Sequence, residues 1–353
     1  MSASSMTEPR PIRVLIVDDS AFVRRALVEL LSRERGIEVV GTAVDPYAAR
    51  EKIVELRPDV LTLDVEMPRM DGLSFLAALM RHQPMAVVVI SSLTPRGSEL
   101  AMRAYDLGAV EVLCKPGSSY SLSDHSAALV AAVRAAAAAR LRVPIKAAVV
   151  RQASLGLTST TAKVLALGAS TGGTVALTEV LTGLPGDTPG TIIVQHMPPF
   201  FTAGFAARLD QCGAMRVAEA KGGEELMPGQ AYLAPGGRHL AVVRSGAKYL
   251  VALNDGPHEH YQRPAVDVAF RSVAATAGAN AVGVLLTGMG ADGATGLLAM
   301  RTAGARTIAQ DEATSVVYGM PKAAAECGAA DEIQPLPAIS GRIVQGFVSM
   351  ARR

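Results

Sequence analysis

The chain has few cysteines, little net charge and no long apolar run, and each shortage removes a class of protein. Its three cysteines, Cys114, Cys212 and Cys327, are scattered and show no CxxC pairing, so neither a disulfide framework nor a thiolate metal site is encoded, and a reducing compartment is the expected setting. Lys and Arg number 34 against 32 Asp and Glu, a formal net charge of +2. That is too little to build the basic surface that nucleic-acid binding uses, so no nucleic-acid partner is expected. No stretch approaches the ~20 uninterrupted apolar residues of a membrane span, and the polar start from Met1 to Pro11 carries no apolar signal core. A cytoplasmic location without direct membrane insertion is the expectation. Charged residues make up 19% and aromatics 4%, while 50% of the chain is hydrophobic, which suits Ala/Val/Leu/Gly-rich packed cores rather than disorder.

What is present is length and rhythm. A chain of 353 residues suits two domains of ordinary size. From Ile12 to Arg134, short β-branched runs (RVLIVDD, IEVVGTA, DVLTLDV, AVVVISS, VEVLCKP) alternate with amphipathic stretches, the pattern of a parallel doubly wound sheet. The segment 135–162 turns into an Ala/Arg run, a break at Pro144 and a Ser/Thr-rich patch, which reads as a helix tail and linker. From Lys163 the rhythm resumes with KVLALGAS, TIIVQHM, QAYLAP, HLAVVRS, YLVALND and AVGVLLTGMG. A second, mostly parallel α/β sheet is expected over 163–353, with an antiparallel hairpin within Gln230 to Asn254. Residues 1–11 are expected to form a disordered tail.

In the first half, chemistry-bearing residues fall at strand ends: Asp18 and Asp19 after the first strand, Asp64 at the third, Ser91 at the fourth, and Lys115 before Pro116 at the fifth. Residues beyond the carboxyl ends of such strands converge on one crevice. Clustered carboxylates invite a hard divalent cation such as Mg²⁺, which also accepts phosphate oxygens, and one carboxylate could then attack a phosphoryl group. The plainer alternative for Asp18 and Asp19 alone is helix capping. Over this whole stretch, including DVEMPRMDGL after the third strand, the sequence resembles the receiver domain of two-component response regulators. The resemblance implies a flavodoxin-like (βα)5 fold with Asp64 as phosphoacceptor. It implies Asp19 as direct Mg²⁺ ligand with Asp18 assisting, the Glu66 backbone carbonyl as a further ligand, Lys115 on the phosphoryl oxygens and Ser91 as the switch residue.

In the second half, Gly168-Ala169-Ser170-Thr171-Gly172 matches the GxSxG spacing of a nucleophile elbow, with Ser170 expected to stand exposed at a helix N-terminus. Such a turn cradles phosphates or dinucleotides equally well. Two further strand ends bear on the choice, since His196 follows TIIVQ and Asp292 follows AVGVLLTGMGA. Together they could supply a base and its orienting carboxylate. Taken singly, His196 could be satisfied by backbone and Asp292 could cap the next helix. The order Ser, His, Asp differs from that of α/β-hydrolases. His258 and His260 form an HxH pair without further spaced ligands and read as surface residues.

The combination of GASTGG, VQHMP, RPAVD and LLTGMGADG closely resembles the catalytic domain of the chemotaxis protein-glutamate methylesterases, the CheB type. The resemblance implies hydrolysis of glutamate γ-methyl esters on methyl-accepting chemoreceptors by Ser170, His196 and Asp292. Backbone N–H groups near Thr171 and Met289 are the oxyanion candidates. No cofactor is implied for ester hydrolysis, a chemotaxis histidine kinase is implied as phosphodonor, and receptor glutamine deamidation is a second activity of some members. Ala265 departs from the family, which usually has serine there. The rival reading is a receiver joined to a non-catalytic DNA- or nucleotide-binding module. No helix-turn-helix pattern or basic stripe favours it, and only Glu179 and Asp187 lie toward the place of an acidic ribose partner.

Overall fold

The protein is described from a computed structural model, which covers residues 10–67, 70–91, 94–115, 122–140 and 163–351. Most of the expected tail, the linker beyond 140 and Pro116 lie outside the described residues. These fall into two compact units, one within 1–143 and the other within 144–353.

The first unit alternates β1 (Ile12–Val17), α1 (Ala21–Ser32), β2 (Ile37–Ala43), α2 (Pro46–Leu56), β3 (Val60–Asp64), α3 (Gly72–His82), β4 (Ala86–Ser91), α4 (Pro95–Asp106), β5 (Glu111–Cys114) and α5 (Leu122–Ala138). All neighbours in the sheet pair in parallel, in the order β2-β1-β3-β4-β5. β3 and β4 are buried along their whole length, as a sheet covered by helices on both faces requires. Helix starts are set by side-chain caps: Ser20 accepts the Val23 N–H, Asp45 the Ala48 N–H, and Asp71 the Ser74 N–H. α5 runs on through Ala138 with Ala135 and Ala136 buried, so the helix tail packs with this unit.

The second unit begins with β6 (Val164–Ala169), α6 (Gly173–Thr182), β7 (Gly190–Gln195), α7 (Pro199–Cys212), β8 (Arg216–Glu219) and β9 (Gln230–Leu233). It continues through β10 (His239–Ser245), β11 (Lys248–Asn254), α8 (Val266–Thr276), β12 (Ala281–Leu285) and α9 (Ala294–Thr302), then β13 (Arg306–Gln310), α10 (Met320–Glu326), β14 (Glu332–Gln334) and α11 (Leu336–Ala351). Seven strands form one parallel sheet in the order β14-β13-β12-β6-β7-β9-β8. Its central strands β6, β7 and β12 are wholly buried, and both edge strands are partly exposed.

The expected antiparallel hairpin is present but occupies only the later part of Gln230 to Asn254. β9 belongs to the main sheet, parallel to β7 and β8. The antiparallel pair is β10 with β11 alone, joined across Gly246-Ala247 between the partners Ser245 and Lys248. Pro235-Gly236-Gly237 separates β9 from β10, and the left-handed backbone of Gly237 (φ 81°) turns the chain out of the sheet.

Candidate active site

Three chain segments meet at the carboxyl ends of β6, β7 and β12, strands that are neighbours in the order β12-β6-β7. The β6 turn carries Ser170. Its backbone N–H donates to the Thr287 carbonyl at 2.9 Å, and its carbonyl accepts the Gly173 N–H at 2.7 Å, which bends the strand directly into α6. Gly172 makes the bend possible: its φ is 80°, and a Cβ there would meet Val316 at 2.5 Å. Ser170 is 9% exposed, contrary to the exposed serine expected of an elbow. The cause is close cover by the loop after β12, where a Cβ on Gly288 would fall 2.7 Å from Ser170 Cβ and 2.3 Å from Met320 Sδ.

The β7 turn brings His196 alongside. The His196 N–H donates to the Ala169 carbonyl at 3.2 Å, and the buried Gln195 side chain donates through Nε2 to the Ser170 carbonyl (2.9 Å) and the His196 carbonyl (3.0 Å). Gln195 thus ties the serine and histidine turns together. Sequence reading missed it. A polar residue ending an otherwise apolar buried strand was the available signal, and Gln310 on β13, whose Oε1 accepts the Thr287 N–H at 2.8 Å, carries the same one.

Asp292 closes the group. Its Oδ2 lies 2.7 Å from His196 Nε2 and also accepts the Val266 N–H at 2.7 Å, while Oδ1 accepts the Asp267 N–H at 2.9 Å. Asp292 therefore does cap a helix, but it is α8 rather than the following α9, whose N-cap Gly293 has no side-chain cap. Burial to 2% exposure alone would raise the Asp292 carboxyl, but the His196 contact and the two helix-start N–H groups outweigh it and hold the carboxyl below its usual range. With Nε2 engaged by Asp292, the Nδ1 lone pair is the nitrogen left to act as a base. Thr171 is buried and Met289 is 41% exposed.

Ala265 occupies the N-cap of α8 in extended conformation (φ −108°, ψ 139°) without a side-chain cap. Ala265→Ser is expected to raise the free energy of unfolding by ~0.5–1 kcal/mol by giving the first turn a hydroxyl acceptor. The midpoint of a urea titration measures this; a lower midpoint would show that the fully buried position has no room for the oxygen.

In the first unit the sequence-derived residues also converge. Asp18, Asp19 and Asp64 each place a carboxylate oxygen within 4.8 Å of the others. Lys115 Nζ lies 2.6 Å from Asp64 Oδ2 and 3.4 Å from Asp18 Oδ2. Burial, and then the Asp64 charge, raise the Asp18 carboxyl. Burial pulls Lys115 down, but its pairing with Asp64 and Asp18 prevails and lifts its ammonium above the ordinary value. Ser91 is buried at the end of β4, and the Glu66 N–H donates to Asp64 Oδ1 at 3.0 Å. His258 and His260 are exposed as expected, although His260 Nε2 also stands 3.0 Å from the buried Asp267 Oδ2.

A receiver-type α/β unit with an acidic pocket, followed by a second α/β unit holding a serine beside a histidine–carboxylate pair, defines the class as a two-module signalling enzyme. Residues 14–126 match the response regulator receiver domain model and residues 165–343 match the CheB methylesterase model. The chain is 54% identical over 340 residues to protein-glutamate methylesterase/protein-glutamine glutaminase 4 of Anaeromyxobacter dehalogenans (strain 2CP-C), covering 96% of each chain. It is 53% identical over 338 residues to protein-glutamate methylesterase/protein-glutamine glutaminase 2 of Syntrophus aciditrophicus (strain SB), covering 95% of this chain and 98% of that one. The crystal structure of the Thermotoga maritima CheB methylesterase catalytic domain is similar at 38% identity and a TM-score of 0.51, over 52% of this chain and 97% of that chain. The chain belongs to the CheB methylesterase family, in its form with an N-terminal receiver.

Proposed function

We propose that the chain hydrolyses glutamate γ-methyl esters on the cytoplasmic helices of chemoreceptors, releasing methanol for chemotactic adaptation, and that phosphorylation of Asp64 raises this activity. The observation that carries the catalytic part is the 2.7 Å pairing of His196 Nε2 with Asp292 Oδ2 beside the Ser170 turn. Ser170 Oγ attacks the ester carbonyl while His196 Nδ1 takes the hydroxyl proton. Collapse of the tetrahedral intermediate breaks the C–O bond, and the imidazolium returns the proton to the departing methoxide as methanol. Water then attacks the glutamyl-serine ester, with His196 again as base, and releases glutamate and free Ser170. Asp292 fixes the ring tautomer and stabilises its charged form. The backbone N–H groups of Thr171 and Met289 are the proposed oxyanion donors, a role worth ~3–4 kcal/mol per donor in comparable sites. This chemistry uses no cofactor. The same steps on a glutamine amide would release ammonia, in keeping with the glutaminase named for the relatives.

For the receiver, Asp64 is the proposed phosphoacceptor, Lys115 the contact to the phosphoryl oxygens, and Ser91 the switch residue. The three clustered carboxylates suit a divalent cation, and the buried Asp18 Oδ2, whose partner Lys115 Nζ stands 3.4 Å away with no closer hydrogen bond, is the sort of atom such an ion would engage. Asp19, Asp18, Asp64 and the Glu66 carbonyl would hold Mg²⁺, whose charge would offset that of an incoming phosphoryl group. A chemotaxis histidine kinase is the proposed donor and the cytoplasm the proposed site of action. Among the described residues no helix is long and apolar enough to cross a membrane.

Methanol release from methylated receptor membranes, with and without a small phosphodonor, tests the proposal. The wild-type chain is expected to release methanol faster with the donor. In Asp64→Asn the ratio of the two rates is expected to fall to unity, because the amide cannot accept the phosphoryl group; a donor response that survives would remove Asp64 from the scheme.

A further inference from the structure

Beside the proposed triad lies a second buried carboxylate that the ester chemistry does not use. Asp267, in the first turn of α8, accepts the Gly296 N–H at 2.6 Å on Oδ1 and the Thr295 hydroxyl at 2.7 Å on Oδ2, both from α9. His260 Nε2 stands 3.0 Å from the same Oδ2. One polar side-chain atom each from His260, Asp267 and Asp292 lies within 4.8 Å of the other two. Two carboxylates this close, both almost fully buried, repel strongly unless positive charge or donors face them.

The groups facing the pair come from several elements. The starts of α8 and α9 contribute backbone N–H groups. Arg271 from α8 lies near both carboxylates but is itself held by Glu259 through both carboxylate oxygens, at 2.7 and 2.6 Å. His196 faces Asp292, and His260 faces Asp267. Every oxygen of Asp267 and Asp292 already accepts a protein donor.

His260 is delivered by a strained turn. His260 (φ 51°) and Tyr261 (φ 62°) both adopt the left-handed conformation that side chains avoid. The turn is closed by paired backbone hydrogen bonds between Glu259 and Gln262, of 3.1 and 2.8 Å. Tyr261 is left 95% exposed. The two-residue turn itself requires both positive φ values, and it sets the imidazole against Asp267.

We propose that His260 is a positioning residue that, when protonated, balances the Asp267 charge 3.0 Å away and so bears on the pH range over which His196 works as a base. The proposal rests on the Ser170–His196–Asp292 assignment above. An uncancelled negative charge at Asp267 favours the doubly protonated His196 ring, which is no base. A cation at position 260 cancels that charge. Removing the cation therefore moves the acidic limb of the kcat/KM profile to higher pH, and removing the Asp267 carboxylate moves it to lower pH.

The test is the pH profile of kcat/KM for methanol release by the full-length chain. His260→Gln is expected to move the acidic limb up by roughly 0.5–1 pH unit. His260→Lys, which holds a permanent cation there, is expected not to share that upward move. Asp267→Asn is expected to move it down, and the His260→Gln/Asp267→Asn double variant to bring it back. A purely structural role would depress the plateau in the Gln and Lys variants alike without separating their limbs. Coincident limbs in those two variants, or a downward move in His260→Gln, would overturn the proposal. Should the buried Asp267→Asn fail to fold, the position-260 pair still decides, because that side chain is 43% exposed. Failure of the triad itself is read separately, from turnover remaining in Ser170→Ala.

Discussion

Replacing Ser170 with alanine is expected to lower kcat for methanol release by roughly 10⁴- to 10⁶-fold, the scale on which removing a serine nucleophile acts in hydrolases of this chemistry. The change deletes one oxygen and keeps the Cβ against which Gly288 packs. The Ser170 backbone bonds to Thr287 and from Gly173 do not depend on the side chain. Stability and receptor binding should therefore stay close to wild type, and the loss should appear in kcat rather than KM. Methanol release by the purified variant, with a thermal melt as control, measures both. A folded variant that kept a tenth of wild-type turnover would refute Ser170 as the nucleophile.

Asp292→Asn is expected to cost about 10⁴-fold in kcat, as loss of the carboxylate does where it fixes the tautomer of a catalytic histidine. Unlike Ser170→Ala it should also cost stability. The two Asp292 oxygens accept N–H groups from Val266 and Asp267 as well as facing His196 Nε2. An amide keeps one oxygen and turns two further N–H bonds on the remaining donors. If the oxygen stays toward Val266 and His196, the NH₂ confronts the Asp267 N–H. If it turns away, His196 must present a lone pair to the NH₂, which puts the ring proton on Nδ1, the nitrogen proposed as the base. Leaving one buried donor unsatisfied costs ~1–3 kcal/mol, so the urea midpoint should fall alongside kcat. Loss of activity without loss of stability would show that Asp292 does not cap α8 in solution. The same contacts bear on acid stability. Asp292 is held below its ordinary value of 3.8, so its contribution is present above that value and is lost as pH falls through the lower folded one.

Much of the scaffold was legible because the central strands are buried on both faces and read as continuous apolar runs. Strands β1, β3, β4, β6, β7 and β12 stand where the sequence puts them. The edges were not. β8 and β14 are short and carry Arg216, Glu219, Glu332 and Gln334, so half-exposed edge strands gave no apolar signal, and β13 went unread between two helices. The start of the hairpin is not legible because QAYL and HLAVVRS look alike as strands, while the choice of partner depends on contacts far along the chain. The same limit governs the site. Ser170, His196 and Asp292 were visible as polar residues ending apolar strands, but Asp292 reaches Val266 across 26 positions and His196 across 96. Its cap on α8, and the Asp267 and His260 arrangement beside it, are products of packing that no local pattern encodes.

Gly288 gives the site a peculiar relation to mutation. The space beside the serine is bounded on one side by a hydrogen atom where any other residue would bring carbon, and the neighbours that carbon would strike are the Ser170 Cβ and the thioether of the buried Met320. Relief would have to come from moving either Ser170 or the core beneath α10. Position 288 thus has an alphabet of one letter for steric reasons that hold whatever receptor is served, and drift in substrate preference must be written elsewhere on the rim.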